Sequence, residues 1–457
     1  MKRTYVIVGS GIGGLISAWR ILSVDNTAAI TIIERSSQPG GLLSGIVSPN
    51  GLYFDIGTHI FQETGLNEVD SYIQGAVAPE ELIVFENGTG DIAGSYLNGV
   101  LQTNASFPDL RNNNDFAVLS AELRKHLLGV SNLPTIDPLA KMSDVSYARF
   151  GKRITEDVVY GIQENLFKTP ASELAGFSLL LSGISRVICG DKENWLENSV
   201  NDVYRSIYGF PEQLELPAKF RHSRKSFYSR VAGSRRFIDG IVDDLGERGV
   251  QFLFNCNIET FDPKELTFDL SIENQNTSIK ADKVIFSNGV IGAAKVCGTD
   301  ISSVSLDRPL AHTIYNLQLE ERTSSPVSYF YGMDKSVDFY RVTNYRTFSG
   351  NDSDRRISIE ILGTIQNDNL LEDLLKQLQK MEFIKSKSID FSEVVRLPTG
   401  FPTPTVKNMR GLVDIANILC KTLPNSVTVT GLGSQPGLFF QNEIIKDVFN
   451  RTDSLLA

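Results

Sequence analysis

The sequence lacks the patterns that mark disulfide-rich, zinc-binding and nucleic-acid-binding proteins. Its four cysteines stand far apart and form no CxxC pair, so neither a disulfide framework nor a zinc site is predicted. Asp and Glu (54) outnumber Lys and Arg (44), and the net charge of −10 argues against a nucleic-acid surface, which needs clustered basic residues. We therefore expect a cytoplasmic protein that binds neither a metal nor a nucleic acid.

Long apolar runs are also missing. The stretch from Phe177 to Cys189 is too short, and too rich in Ser and Gly, for a membrane span of about 20 residues. Residues 1–4 lead directly into an apolar strand, without the separate apolar region of a signal peptide. We expect no integral membrane segment, and the sequence leaves the oligomeric state open. The 457 residues, 41% of them hydrophobic, suit two globular domains.

What the sequence does contain is the pattern of a mononucleotide-binding βαβ unit at its start. Thr4 to Val8 is a continuous apolar and β-branched run, typical of a strand that is buried on both faces of a parallel sheet. Gly9 interrupts the run, and from Gly14 onward apolar residues recur at helical spacing. Ala29 to Ile33 then predicts a second strand.

The turn between the first strand and the helix fulfils the GxGxxG pattern with Gly9, Gly11 and Gly14. Gly9 permits the tight turn, Gly11 lets the backbone approach a pyrophosphate, and Gly14 allows close packing of helix and strand. The helix N-terminus attracts the negative charge of the phosphates. Glu34, directly after the second strand, is positioned to accept hydrogen bonds from ribose hydroxyls. These residues predict a dinucleotide site.

Further segments resemble a large family of FAD-dependent enzymes. A Gly40-Gly41 doublet follows the ribose acid, and Leu42 stands where the family often has Arg. Residues 54–61 read Phe-Asp-Ile-Gly-Thr-His-Ile-Phe, and residues 427–438 form a strand, a Gly-rich turn and the approach to a last helix. These segments resemble those of the amine oxidases, protoporphyrinogen oxidases, phytoene desaturases and UDP-galactopyranose mutases.

The resemblance implies that the cofactor is FAD and that the substrate is a small molecule. In this family the doublet passes close to the cofactor, the segment equivalent to residues 54–61 runs beneath the flavin, and a Gly before the last helix presents N–H groups to the flavin C2 carbonyl. Such N–H groups stabilise negative charge on the reduced ring. The implied cofactor-binding residues are Gly9, Gly11, Ile12, Gly13, Gly14, Glu34, Arg35, Gly41, Leu42, Gly57, Thr58, His59, Ile258, Gly431, Gly437 and Leu438.

The later sequence predicts that this dinucleotide fold is interrupted by a second domain. Acidic loops and helical segments follow residue 75, the α/β pattern returns near Gly233, and residues 305–362 alternate as in an antiparallel sheet. We predict an α/β fold with a discontinuous, Rossmann-like FAD-binding domain (1–75, 225–300 and 395–457). The substrate domain (76–224 and 301–394) is predicted as mixed α+β, with a helical insert and an antiparallel sheet.

Three interpretations of the chemistry are open. A hydride-accepting FAD oxidoreductase ranks first and a UDP-galactopyranose mutase-like isomerase second, while a flavin-binding protein without turnover is the third. The mutase interpretation is favoured by Arg341, whose segment resembles the mutase strand with a diphosphate-binding Arg. It is opposed by Leu432, which stands where the mutase has another Arg.

The catalytic candidates are His59, Arg341 and Tyr340. His59 is either a flavin neighbour or a structural histidine. Strand alternation predicts that Arg341 faces the substrate while Tyr340 lies on the opposite face. Glu360 is expected to be solvent-facing or salt-bridged rather than a general base.

Overall fold

Two units make up the chain in the computed structural model, which describes residues 2–86, 93–273 and 275–457. The first unit comprises Met1–Ile83, Ser226–Leu306 and Met409–Ala457. The second comprises Val84–Lys225 and Asp307–Asn408. The N-terminal fold is therefore discontinuous in sequence, as predicted.

The described residues form strands and helices of very different lengths. The strands are β1 (Thr4–Val8), β2 (Ala29–Ile33), β3 (Ile46–Val47), β4 (Tyr53–Phe54), β5 (Phe61–Gln62), β6 (Leu82–Phe85), β7 (Ala93–Leu97), β8 (Val100–Gln102), β9 (Ser226–Ser229), β10 (Gln251–Leu253), β11 (Cys256–Asp262), β12 (Thr267–Ile272), β13 (Gln275–Lys280), β14 (Lys283–Phe286), β15 (Leu310–Leu319), β16 (Tyr329–Gly332), β17 (Arg341–Asn344), β18 (Arg356–Leu362), β19 (Ile389–Phe401) and β20 (Val427–Val429). The α-helices are α1 (Ile12–Val24), α2 (Asn67–Gly75), α3 (Phe116–Leu127), α4 (Met142–Ile154), α5 (Tyr160–Phe167), α6 (Phe177–Leu181), α7 (Lys192–Asn198), α8 (Asp202–Ile207), α9 (Gly233–Glu247), α10 (Gly289–Val296), α11 (Tyr345–Phe348), α12 (Leu370–Lys380), α13 (Val406–Thr422) and α14 (Gln441–Leu456). Short 3-10 helices cover Gly41–Ser44, Gln213–Glu215 and Ala218–Phe220, and a π-turn at Thr155–Val159 joins α4 to α5. Among these described helices, none combines the length and the apolar character that crossing a membrane requires.

A parallel five-stranded sheet in the order β10-β2-β1-β14-β20 is the centre of the first unit. Because successive side chains of a strand point to opposite faces, β1 supplies two cores. Tyr5 and Ile7 pack with α1, α9 and α14 on one face. Val6 and Val8 pack with α10, α13 and the small antiparallel sheet β11-β12-β13 on the other. The carboxyl ends of β1 and β2 thus lie side by side, which is where the Gly-rich turn and Glu34 follow.

A seven-stranded sheet in the order β19-β15-β18-β17-β16-β7-β8 dominates the second unit. Its pairs are antiparallel except for β16 with β7. Residues such as Leu317, Val342 and Ile359 pack against α12 on one face. The segment predicted as a helical insert does contain helices α3 to α8, but it also contributes β7 and β8 to this sheet.

The opposite face of the seven-stranded sheet is polar and yet buried. Strand register places Arg341 beside Glu360, and Asn316 beside Ser358. Buried polar groups need hydrogen-bond partners, so such a face is costly unless its side chains satisfy one another or a ligand. The buried polar residues of this face are Ser95, His312, Asn316, Thr343, Ser358 and Glu360.

Candidate functional site

The Gly-rich turn after β1 has room for a ligand at one glycine and no room at another. Gly9 has a φ of +101°, a conformation that favours glycine. A Cβ on Gly14 would clash with the Gly9 carbonyl oxygen and lie 2.9 Å from Ser287 Oγ. A Cβ on Gly11, by contrast, would meet no heavy atom of the described residues within 4 Å. Gly14 is therefore required by packing, whereas the space beside Gly11 is open to a ligand.

The first turn of α1 points at this open space. Its N-cap residue, Gly11, provides no side-chain hydrogen bond, and the first turn has no acidic side chain. Helix N-termini leave backbone N–H groups without helical partners, and the helix dipole favours an anion there. Gly13 packs against α14, where its Cβ would lie 3.2 Å from Val448, and Ile12 packs against the core. The arrangement fits a pyrophosphate.

The glycine doublet lies directly against this turn. The Gly40 N–H donates to the Ser10 carbonyl at 2.9 Å, and Gly40 forms an isolated parallel bridge with Gly11. A Cβ on Gly41 would lie 3.7 Å from the Gly11 Cα, and both doublet residues have positive φ. Leu42 is 57% exposed, and Arg35 is also exposed. The two glycine motifs are separate in sequence but lie next to each other at the open space beside Gly11.

Glu34 ties the Gly-rich turn to the loop that follows β2. One carboxylate oxygen accepts from Ser10 N (2.9 Å) and Ser10 Oγ (2.8 Å), and the other accepts from Ser36 N and Ser36 Oγ, both at 2.8 Å. Burial alone would raise the pKa of Glu34, but these hydrogen bonds hold it below its ordinary value. Glu34 is therefore ionised at neutral pH. It stabilises the turn as well as being the predicted ribose acceptor.

The start of β11 is hydrogen-bonded to the same residue. The Cys256 N–H donates to the Glu34 carbonyl at 3.0 Å, and the Glu34 N–H donates to the Leu253 carbonyl at 2.9 Å. Ile258, two residues further along β11, is half-buried. Ile258 is therefore only a few residues from the predicted ribose acceptor, and its place along an adenine ring stays a prediction.

A buried carboxylate fixes the segment predicted to run beneath the flavin. Asp55, 1% exposed, accepts hydrogen bonds from Tyr53 Oη (2.8 Å), Tyr228 Oη (2.5 Å) and the hydroxyl of Ser234, and also from Ser234 N at 3.3 Å. It thereby joins the segment to β9 and to the first turn of α9. Sequence reasoning missed this set of contacts, since Tyr228 and Ser234 lie more than 170 residues beyond Asp55.

Gly57, Thr58 and His59 follow Asp55 in the same segment. Gly57 has a φ of +88°, which starts a bend that brings His59 Nε2 to 2.9 Å from the Ile56 carbonyl. With Nε2 in its protonated tautomer, the ring donates this hydrogen bond. Thr58 and His59 are both half-buried. The flavin-facing roles of Gly57, Thr58 and His59 stay predictions.

The C-terminal Gly-rich turn is held to α14. Gly431 and Gly437 have positive φ values of 87° and 73°. Asp447 in α14 accepts hydrogen bonds from Ser434 Oγ at 3.0 Å and from Gln435 Nε2 at 2.6 Å, and it also pairs with Arg451. Leu438 is half-buried. The middle of the turn is thus fixed to α14. That the turn presents backbone N–H groups to a flavin stays a prediction.

Arg341 in the second unit belongs to a buried charged cluster. Its guanidinium donates from Nε to Glu360 Oε1 at 2.7 Å and from Nη2 to Glu360 Oε2 at 3.0 Å. His312 Nε2 lies 3.1 Å from the same Oε2. Burial alone would raise the pKa of Glu360, but the charge of Arg341 and the bond to His312 hold it well below its ordinary value. The expectation of a salt bridge is confirmed, and that of solvent exposure is wrong, since Glu360 is 1% exposed.

Two tyrosine rings lie against this cluster. The centroids of Tyr340 and Tyr331 lie 5.5 and 5.9 Å from the Arg341 guanidinium carbon. The predicted placement of Tyr340 on the opposite face is wrong, because β17 begins at Arg341 and strand alternation does not reach the preceding residue. Val342 does lie in the core of the opposite face. Burial raises the pKa of Tyr340 far above its ordinary value, so its hydroxyl stays protonated.

Comparison with known proteins supports the interpretation of the first unit. Residues 7–74 match the family described as NAD(P)-binding Rossmann-like domain. This segment therefore resembles a Rossmann-like domain. Domains of this kind bind a dinucleotide with a Gly-rich turn, the helix N-terminus that follows it and an acid after the second strand. The sequence has no significant match among curated proteins.

Solved structures share the fold over nearly the whole chain. A reduced UDP-galactopyranose mutase superposes with a TM-score of 0.73 at 14% identity, covering 100% of this chain and 94% of its own. A candidate protoporphyrinogen oxidase from Exiguobacterium sp. 255-15 has a TM-score of 0.68 at 14% identity, with 100% and 99% covered. For the CLA-producing fatty acid isomerase from P. acnes the TM-score is 0.59 at 8% identity, with 98% and 97% covered. At such identities the likeness establishes the fold, and the predicted fold class is confirmed.

Proposed function

We propose that this protein is an FAD-dependent oxidoreductase that takes a hydride from a small organic substrate. The cofactor assignment rests on the open space beside Gly11. This space lies next to the uncapped N-terminus of α1 and to the Gly40-Gly41 doublet. The ionised carboxylate of Glu34 lies beside this turn and could accept hydrogen bonds from an adenosine ribose. FAD has this ribose and FMN does not, so Glu34 favours FAD.

The chain offers a binding group for each part of FAD. The backbone of residues 9–14 would hold the pyrophosphate, Glu34 the ribose hydroxyls and Ile258 the adenine. The segment at Gly57 to His59 would lie beneath the flavin, and the turn from Gly431 to Leu438 would direct N–H groups to the C2 carbonyl. The bound flavin supplies hydride acceptance at N5. These backbone donors would then stabilise the negative charge of the reduced ring.

The state of Arg341 favours hydride transfer over the mutase reaction. A guanidinium that binds a diphosphate uses its planar fork of donors. In this chain Nε and Nη2 of Arg341 are already held by Glu360, whose charge balances that of the guanidinium. Leu432 adds no cation near the last Gly-rich turn. A mutase-like isomerase remains the second candidate because a UDP-galactopyranose mutase superposes over the whole chain.

Identification of the released cofactor tests the first part of the proposal. The purified protein should be yellow, and heat denaturation should release FAD rather than FMN, as chromatography against both standards would establish. A colourless protein whose tryptophan fluorescence does not change on addition of FAD would refute the cofactor assignment.

Anaerobic titration with candidate substrates tests the reaction. For an oxidoreductase, the absorbance band of oxidised flavin should bleach when an amine, a polyene or a porphyrinogen substrate is added. Turnover of a nucleotide sugar only after reduction with dithionite would replace the oxidoreductase by the mutase. A flavin that dithionite reduces, but that no candidate substrate bleaches, would favour a flavin-binding protein without turnover.

A further inference from the structure

Two arginines of the second unit, one buried and one half-buried, lie near each other without a carboxylate partner among the described residues. Arg149 in α4 is 7% exposed, and Arg186, after α6, is half-buried. Burial lowers the pKa of both guanidinium groups, and the positive charge of Arg186 lowers that of Arg149 further. Within the described part of the chain, no acidic side chain forms an ion pair with either one or offsets this effect.

Backbone carbonyls fix the positions of both side chains. Arg149 Nη2 donates to the carbonyl oxygens of Ser185 (2.8 Å) and Ser206 (2.7 Å), and Arg186 Nε donates to that of Arg205 at 2.8 Å. Carbonyl groups satisfy individual donors but carry no net charge. Arg149 Nε is enclosed and has no hydrogen-bond partner among the described residues. The two side chains are therefore held in place, while Arg149 Nε keeps an unused donor and no described carboxylate balances the two positive charges.

Two half-buried arginines of the same unit are different. Arg341 pairs with Glu360, and Arg356 pairs with Asp354, and both of these carboxylates are buried. This is the usual state of a buried charge, because removing an ion from water is costly unless a counter-charge accompanies it. Arg149 and Arg186 are the exception, because no carboxylate of residues 2–86, 93–273 or 275–457 supplies their counter-charge.

The surroundings would strengthen an interaction with an anion. The ring of Phe107 lies 5.5 Å from the Arg186 guanidinium carbon, and that of Phe150 lies 6.0 Å from that of Arg149. Charges attract more strongly where aromatic side chains exclude water. Two guanidinium groups need two negative charges. A phosphate group supplies these together with several strong acceptor oxygens, whereas one carboxylate supplies a single charge.

We propose that Arg149 and Arg186 form a binding site for a phosphate group. The ligand is inorganic phosphate or the phosphate of a phosphorylated metabolite. The site does not depend on the flavin reaction proposed above, since its residues differ from those assigned to FAD and to hydride transfer. The second unit would therefore bind phosphate whether or not the flavin reaction is an oxidation.

The experiment is isothermal titration of the FAD-saturated full chain with sodium phosphate, and in a second arm with glucose 6-phosphate. FAD saturation fills the dinucleotide site, which would otherwise bind phosphate itself. Sodium chloride at matched ionic strength controls for screening. Arg149→Met and Arg186→Met should each weaken phosphate binding at least about tenfold, the effect of losing one charge-assisted hydrogen bond. Arg322→Met, which removes an exposed arginine of the same unit, should have no effect.

The arms of the experiment separate the outcomes. Tighter binding of the sugar phosphate than of inorganic phosphate would identify a metabolite site, and the reverse an inorganic phosphate site. If Arg149→Met fails to fold because the Ser185 and Ser206 carbonyls lose their donor, the half-buried Arg186→Met variant still decides the question. No phosphate binding by the parent, or equal affinity in the parent and in Arg186→Met, would overturn the proposal. The two arginines would then serve only to hold backbone carbonyls.

Discussion

Two alanine substitutions in the Gly-rich turn should separate folding from cofactor binding. In Gly14→Ala, the new Cβ would clash with the Gly9 carbonyl oxygen and lie 2.9 Å from Ser287 Oγ. Both contacts involve firmly held groups, since Ser287 Oγ donates to the carbonyls of Val8 and Gly9. Overpacking of this kind typically costs about 1–3 kcal/mol, and a clash with backbone belongs at the upper end. We expect an apoprotein destabilised by about 3 kcal/mol.

Gly11→Ala should have the opposite profile. Gly11 has a φ of −66° and a ψ of 171°, which alanine adopts without strain, and its Cβ would meet no described atom within 4 Å. Replacing a glycine at such a position stabilises a protein by about 0.4–1 kcal/mol through the unfolded state. The methyl group would, however, occupy the space proposed for the pyrophosphate. We expect FAD affinity to fall at least about tenfold, or about 1.4 kcal/mol.

Two measurements on each variant test this contrast. Urea unfolding of the apoprotein, followed by tryptophan fluorescence, gives the free energy of unfolding, and quenching of FAD fluorescence gives the dissociation constant. Gly246→Ala, in α9 and with no described atom within 4 Å of its Cβ, is the matched control and should leave FAD affinity unchanged. If Gly11→Ala binds FAD as tightly as the parent, the pyrophosphate does not pass this residue and the site is misplaced.

Three further predictions concern the charged residues. Glu34→Ala should weaken FAD binding roughly 10- to 1000-fold, as measured by fluorescence titration. It should also lower the melting temperature of the apoprotein, because the hydrogen bonds from Ser10 and Ser36 are lost. An unchanged FAD affinity would exclude Glu34 as the ribose acceptor. Arg341→Met should lower the free energy of unfolding by about 3–5 kcal/mol, since it leaves the buried Glu360 carboxylate without its main counter-charge. The control Lys280→Met, which breaks an exposed pair with Glu265, should lower it by less than about 1 kcal/mol. Equal losses in the two variants would refute the reasoning. The pKa of Glu360 in the folded protein lies below its ordinary value of 4.5, so ionised Glu360 contributes its full stability above pH 4.5 and less as the pH falls below it. The difference in unfolding free energy between the parent and Glu360→Gln, measured with urea, should therefore narrow from pH 6 to pH 3. A difference that widens would contradict the lowered pKa of Glu360.

The parts of the fold that could be predicted are those that leave a local pattern. Strands β1 and β2 are buried on both faces, and such strands have continuous apolar sequences. Helices α9 and α12 have an apolar stripe at helical spacing, with Phe237, Ile241 and Leu245 buried in α9. Strands β7 and β8 were missed because they are short and because their place depends on the pairing of β7 with the distant β16.

The same distinction applies to the candidate sites. The glycines and Glu34 lie within one βαβ unit, where spacing along the sequence determines position in space. The His312–Glu360–Arg341 cluster has no such spacing, since His312 and Glu360 are 48 residues apart and meet only because β15 and β18 pair. A period-two pattern in each strand indicates which residues share a face, but the register between strands is fixed by the core on the other side. The sequence alone therefore does not show that Glu360 pairs with Arg341, and the substrate role of Arg341 stays a prediction.

The hydrogen bonds of Glu34 also limit how much a bound ribose can contribute. A carboxylate accepts about four hydrogen bonds, and in this structure Ser10 and Ser36 donate four, two from backbone N–H groups and two from hydroxyls. The N–H groups are fixed by the turns, but the hydroxyls can rotate away. A ribose would therefore replace two serine hydroxyls with two of its own, an exchange worth less than two new charge-assisted bonds. The loss in Glu34→Ala should accordingly lie nearer tenfold than thousandfold, and Ser36→Ala, which removes one competing hydroxyl while keeping the N–H donor, should bind FAD at least as tightly as the parent. A large loss of affinity in Ser36→Ala would show instead that this hydroxyl contacts the cofactor directly.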